Sequence, residues 1–398
     1  MPATTGYQAG YETSGTQLSY GVESVWGTKP ATTFQAIRYT GESLSGSKNR
    51  DRPNEINATR EVSAAVTTKE GAGGAINFAL SYGTYDDFLS VLLGNDWGAA
   101  VVIAGIAADV TITNVSATQA TLSSTLGTKY SNIVQGQWIR LLGFTNAGNN
   151  NIMKVAVKVS NSSLTLTTPF AASVTETPAA ALAQVRGGTL ANGVQFKSLF
   201  IQQKFAPTVW LNYAGAFIAS GTLSGGVGQF LSGTFNTLAA SEVSAVLDQS
   251  TGGILPAPTG RVHDPAGSFV GVLWADALVA AKVDSFSLQI SNDGAALEYA
   301  LGAAAGVGVM AGTLSVSGSL KLFFRDFVQY ALYKAETSGN LSIVTKDPSG
   351  NAYVITLPSA FLMNPKIEAG GPGQAVYAAF DIEGSPGGMV QIDRLPST

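Results

Sequence analysis

The residues of this chain that could do chemistry are few and scattered. The only histidine, His263, stands beside Asp264 in a stretch broken by Gly252, Gly253, Pro256, Pro258, Gly260 and Pro265. A Ser–His–acid arrangement needs a positioned base, and this setting reads as a surface connector instead. Asp86 and Asp87 form a carboxylate pair, but they fall where a helical pattern begins, and the helix dipole is reason enough for two acids there. Tyr82, Tyr85 and Phe88 could stack nucleic-acid bases; their helical spacing points to core packing. There is no Walker-type loop, dinucleotide fingerprint or Gly-x-Ser-x-Gly elbow. Without cysteine, neither a disulfide nor a thiolate metal site is possible. No enzyme activity, cofactor or metal is expected.

One charged stretch stands out, Lys48–Glu61 (KNRDRPNEINATRE). It has no apolar period and contains Pro53, so it reads as a long exposed loop. Arg50, Asp51, Arg52, Glu55, Arg60 and Glu61 offer both signs of charge for bridging a neighbour; a solvated loop whose pairs contribute little is the alternative.

The elements around these residues repeat. In Gly74–Gly94, Ile76, Phe78 and Leu80 alternate with small or polar residues, the period of a half-buried strand. After Gly83, Tyr85, Phe88, Leu89 and Leu92 form one helical stripe, with Thr84 and Asp87 as a short capping box and Gly94 at the C-cap. Gly318–Glu336 repeats the unit. Leu320, Leu322 and Phe324 alternate, Asp326 takes the N-cap, and Phe327, Tyr330 and Ala331 form the stripe. Further on, Ala216-Phe217-Ile218 is followed by Gly225–Gln229 and Phe235, and Ala360-Phe361-Leu362 by Gly370–Gln374 and Phe380, the two spacings differing by one residue. A matched series in matched order signals an internal duplication.

At 398 residues, two or three domains are expected. The reading places a first domain at 1–98 plus 188–238, beginning with an extended arm with a few short strands over 1–38. An inserted domain follows at 99–187, then a connector at 239–281, and a second domain with a short C-terminal tail at 282–398. In the insert, Val110/Ile112, Trp138/Leu141, Val155/Val157/Val159 and Leu164/Leu166 mark short strands separated by turns. Charged residues make up only 12% of the chain, about half the usual share. A surface of small neutral residues suits burial against neighbouring subunits. Net charge is −4, which argues against a sequence-independent grip on nucleic acid. The opening residues lack a basic region followed by an apolar one, so synthesis in the cytoplasm without export is expected. The least polar run, Tyr299–Gly312, is too short for a membrane span.

The stretch YGVESVWGTKPATTFQAIRYTGESL, the unit LSYGTYDDFLSVLLG and the ending DPSGNAYVITLP with VYAAFDIEG resemble the major tail tube proteins of long-tailed, siphovirus-type bacteriophages. The resemblance covers most of the chain apart from 99–187. It implies a mainly β fold of two tandem tail-tube β-sandwich or half-barrel domains, each with one flanking α-helix. The insert would be a small all-β, immunoglobulin-like domain on the tube exterior. It implies stacked rings that form the channel for DNA ejection. With two tube domains per chain, three chains would make a pseudo-sixfold ring, and six is the alternative. The implied partners are other copies of the chain, the tape measure protein and double-stranded DNA in the lumen, and the tail terminator and distal tail proteins. The implied location is the virion tail, assembled in the host cytoplasm. The long loop after the first core strand, with Arg50, Asp51, Arg52, Glu55, Arg60 and Glu61, would then contact the adjacent ring. The lumen should be acidic to neutral so that DNA passes without sticking. Asp381 and Glu383 are candidates to face it, with an outward solvated face as the alternative. A β-rich adhesin or host-surface-binding module is the competing reading.

Overall fold

The computed structural model describes residues 10–397, apart from 57, 59, 105–107, 179–182 and 387. Its organising element is an antiparallel run of eight strands through both halves of the chain. Ser45–Asp51 lies at one edge and pairs with Val66–Ala79; next come Ser232–Ala239 and the second half of Val209–Gly226. That strand pairs in turn with Val283–Asp293, followed by Thr313–Phe323, Val376–Gly384 and the second half of Ala352–Ala369 at the far edge. The order of the first four strands therefore recurs in the last four.

Alternation decides which side of this sheet is dry. Ile76, Phe78, Leu223, Phe235, Phe286, Leu288, Ile290, Leu320, Leu322, Phe380 and Ile382 are all at most 8% exposed and join one core. A second layer covers them. In the first half it comprises Gln17–Val22, Phe34–Ile37, Leu199–Ala206, Ser241–Ala245 and the start of Val209–Gly226. In the second half Phe269–Trp274, Gly339–Lys346, Gln391–Leu395 and the start of Ala352–Ala369 take that place. Both 18-residue strands change layer midway. Gly215 (φ +67) makes the first corner, where an added Cβ would lie 2.8 Å from the Trp26 ring.

Helix α1 (Asp86–Leu93) buries Phe88, Val91, Leu92 and Leu93 and ends at Gly94 in the left-handed conformation. Helix α2 (Val328–Lys334) closes with the same hydrogen bonds 242 positions later. Gly94 N–H donates to Val91 O and Asn95 N–H to Ser90 O; Glu336 N–H donates to Tyr333 O and Thr337 N–H to Leu332 O. Glu336 even shares the positive φ of Gly94 (46° against 59°). The two helices differ in burial, because α2 buries none of its residues.

Several expectations need correction. The α1 N-cap is Tyr85, since the Thr84 hydroxyl is bonded to that of Ser81. The α2 N-cap is Phe327, although Asp326 does accept from Val328 N–H. The charged stretch begins inside a strand, so its loop runs from 52 to 65. The short strands expected in the opening segment are there, at 17–22 and 34–37, but they belong to the core and not to an arm, with Leu18 and Phe34 fully buried. The 391–395 segment is a strand paired on both sides and no loose tail. The stretch 239–281 contributes strands to the second layer, and His263 within it is fully buried.

The described residues of 101–167 form six strands around a separate apolar cluster that includes Ile112, Leu122, Tyr130 and Leu164. Strand Gln184–Ala191 closes that unit with its first half and pairs with 391–394 through its second. The unit packs on the second half of the chain. Trp138 and Ile152 share a cluster with Leu273, Val344, Val354 and Leu395; Trp138 Nε1 donates to Thr356 Oγ1 at 3.1 Å; Lys154 pairs with Asp276 at 2.6 Å.

Two buried ionisable groups carry opposite pH dependences. Burial pushes the His263 imidazole down to about 4, and neither ring nitrogen finds a hydrogen-bond partner among the described residues. Burial pushes the Asp393 carboxyl up to about 7 against the lowering bond from Gln391. The His263 contribution is complete above pH 6.5, its unfolded value, and is lost as pH falls through 4. The Asp393 contribution is complete below pH 3.8 and is lost as pH rises through 7. His263→Leu should therefore flatten the acid-side loss of stability by on the order of 3 kcal/mol, while Asp393→Asn should steepen it and raise stability at pH 8. Urea unfolding from pH 4 to 8 checks both, and unchanged profiles would contradict the assignment.

Candidate assembly surfaces

The side of the eight-stranded sheet away from the core is built almost entirely of hydroxyls and amides. Register aligns them in rows across the strands. One row runs Asn77, Thr234, Thr222, Gln289, Ser317, Glu383; the next runs Ser232, Ser224, Ser287, Ser319, Asp381. Thr234 Oγ1 donates to Asn77 Oδ1 at 2.8 Å, Asn236 Nδ2 to Ser220 Oγ at 2.8 Å, and Asn364 Nδ2 to Asp381 Oδ2 at 2.9 Å. Asp381 and Glu383 are exposed on this face, opposite the buried Phe380 and Ile382. Lys321 and Lys366 also lie on it, but the Lys321 ammonium sits 3.6 Å from Asp284 and over the Tyr377 ring, and the Lys366 ammonium sits 2.7 Å from Glu368. The face can hydrogen-bond water and repel phosphate, and each of these two lysines already has a carboxylate partner.

The charged stretch sits on a hairpin that outruns the sheet. All of 45–51 is exposed, and 66–71 extends beyond its partner strand 232–239. Much of its charge is used locally. Arg50 donates to Ala65 O, Asp51 accepts from Thr68, Glu55 accepts from Ser63, and Lys48 pairs with Glu70 at 3.1 Å. Arg52 and Arg60 are exposed, Arg60 with φ +57, and Glu61 is exposed beside it. The second-half loop at 294–312 folds back onto this hairpin. Glu70 N–H donates to Ala304 O at 2.8 Å, and Lys69 Nζ lies 4.9 Å from the Tyr299 ring.

The acids at the start of α1 turn out to be structural ties. Asp87 accepts from Tyr20 OH at 2.7 Å; Asp86 accepts from Tyr353 OH at 2.6 Å and pairs with Arg394 at 2.5 Å. Burial and these carboxylates push both phenols up. Asp264 accepts from Ala266 and Gly267 N–H and closes a turn, so it does not serve the buried imidazole. Tyr85 and Phe88 pack with tilted rings against Phe235 inside the core, which leaves only Tyr82 of the three part-exposed and removes the three-residue stacking platform.

At the two ends of the eight-strand run, 45–51 and 363–369 have no strand paired on their outer side among the described residues, although the Gly46 N–H donates to the Glu242 carboxylate. Of the hydroxyl-lined face, only one strand was legible beforehand, through Phe286, Leu288 and Ile290 alternating with serines and Gln289.

Among the described residues, no helix is long and apolar enough to cross a membrane. A search of curated proteins found no match. A family model described as phage tail tube protein matches residues 13–384, nearly the whole chain, including the eight-stranded sheet and both helices. The chain belongs to the phage tail tube protein family, whose members are structural, non-enzymatic components of the virion tail.

Proposed function

We propose that three copies of this chain close a ring, that rings stack into the tail tube, and that the hydroxyl-lined sheet face lines the channel through which DNA is ejected. One observation carries the reading. A single sheet contains the same four-strand order twice and ends in two open edges, so copies can extend it head to tail. In this reading the tandem tube domains are 1–98 plus 188–238 and 282–398, joined by 239–281. The unit at 99–187 sits outside the tube, braced against the second domain through Trp138. The hairpin bearing Arg50, Asp51, Arg52, Glu55, Arg60 and Glu61 reaches the adjacent ring. Tape measure protein and DNA occupy the lumen without sequence-specific contacts, and terminator and distal proteins cap the ends. Assembly takes place in the host cytoplasm.

The lumen chemistry follows from counterion release. Each added cationic contact to phosphate strengthens DNA binding and its salt dependence, and a channel that binds DNA slows its exit. Asp381 and Glu383 keep the face acidic.

Electron microscopy of the purified protein should show hollow tubes whose end-on views have threefold order; compact particles under all conditions would contradict the reading, and sixfold order of six chains would contradict the duplication. Phage carrying Asp381→Lys with Glu383→Lys should eject DNA severalfold more slowly at low salt, with the deficit shrinking as salt rises. Unchanged ejection from intact particles would place this face outside the lumen.

A further inference from the structure

The contact between the 101–167 unit and the second half of the chain holds two groups that can react with each other. Strand Ile152–Ser160 sends Met153 and Val155 into the unit's own core, so Ile152 and Lys154 face the other way, with Trp138, onto the second half. Lysine almost never enters such a surface without a partner. The Lys154 ammonium is bonded to Asp276 Oδ1 at 2.6 Å, and the two side chains are only 10% and 24% exposed.

Asp276 is delivered there by a strained turn. Trp274 pairs with Ala277, which leaves Ala275 and Asp276 as a two-residue hairpin turn, and both have positive φ, 50° and 63°. That conformation suits Asn-Gly and strains other residues. Asn340 holds the turn at two points: its O accepts from Ala275 N–H at 2.9 Å, and its Oδ1 from Asp276 N–H at 3.2 Å. One carboxyl is thereby fixed against one amine, and among the described residues no other group donates to it.

A second pair shows what this arrangement lacks. Lys129 lies 2.7 Å from Asp109, but the Ser124 and Thr125 hydroxyls also donate to that carboxylate, at 2.6 and 3.0 Å. Burial opposes its charge, yet these bonds and that from Lys129 hold it down at about 2, so it stays an anion and a poor acyl group. Asp276 has no such donors. Asp393, which accepts from the Trp138 backbone, lies within the field of Lys154, and burial keeps it neutral up to about pH 7, so it offers the ammonium no second anion.

We propose that Lys154 and Asp276 condense into an amide, an internal isopeptide bond that welds the unit to the second half of the chain. Proton transfer within the pair cancels both charges, which a site of low dielectric favours. Nζ then attacks Cγ. The Nζ–Cγ bond forms, a Cγ–O bond breaks, and that oxygen leaves as water with two of the three ammonium protons. No oxidant or other reactant is needed. Well-oriented groups reach effective concentrations on the order of 10⁵–10⁸ M, which favours an amide that free amines and acids do not form in water. The bond joins residues 122 positions apart.

Mass spectrometry of the purified, denatured full chain tests this. The intact mass should fall one water below that of the sequence, and digestion should yield a branched peptide joining Lys154 to Asp276. Lys154→Arg keeps a cation for the ion pair but has no amine to condense, so the folded variant should show its full sequence mass. Lys129 and Asp109 should appear on unlinked peptides. An unmutated chain at its full sequence mass would overturn the proposal. So would a water lost elsewhere, whether in a succinimide at Asp293-Gly294, at Lys129, or in the Lys154→Arg chain.

Discussion

Seven backbone pairs between Ser220–Gly226 and Ser285–Ser291 make two sets of four strands into one sheet. Backbone groups at a strand edge must be paired, hydrated or covered, and this ladder pairs them in the middle of the molecule. Much else rests on it. Helix α1 lies across the ladder, and its Tyr85, Phe88 and Leu92 meet Phe235 and the residues of both strands in a single core. Gly221 allows that approach, because a Cβ there would stand 2.7 Å from Leu92. Cutting the ladder would expose two further edges and uncover the helix.

A strict period of two separates the duties of the sheet's sides. One side supplies the aromatic and aliphatic core; the other supplies rows of Ser, Thr, Asn and Gln ending in Asp381 and Glu383. A slip of one residue would put the serines in the core and the phenylalanines in water, so the core fixes the hydroxyl-lined face as firmly as it fixes itself. The unit built from the described residues of 101–167 and the strand Gln184–Ala191 is tied to this sheet. It docks on the second half through Trp138, Lys154 and the shared strand Gln184–Ala191, so it links parts of the chain far apart in sequence.

Strand alternation and the α1 stripe were legible in sequence because both are local: Ile76, Phe78, Phe88 and Leu92 follow their periods, and Gly94 marks the helix end by its positive φ. Burial set by distant segments was not. His263 sits among prolines and glycines, yet its backbone bridges Leu80 and Leu231 in the core. The stripe of α2 has the right period but lacks its cover, since a pattern records that a face wants burial and not which chain supplies it. Thr84 had the right spacing for a cap and found Ser81 instead. Of the candidate surfaces, the exposed positions of Asp381 and Glu383 follow from alternation alone. The pairing of Asp51 with Thr68 and of Glu55 with Ser63 depends on how the hairpin folds back.

In the proposed tube, backbone pairing at the strand edges both joins the halves and joins the copies. Amide hydrogen exchange, followed by mass spectrometry on dissociated chains and on assembled tubes, addresses it most directly. In dissociated chains, 220–226 and 285–291 should be protected throughout, while the amides of 42–47 and 363–369 that are turned away from the sheet, Leu44 and Gly46 being held only by side-chain carboxylates, should exchange faster. In tubes, the two outer edges should become as slow as the inner pair. Outer edges that exchange equally fast in both states would show that the copies meet by other surfaces, and the account of the sheet as the assembly's continuous element would fail.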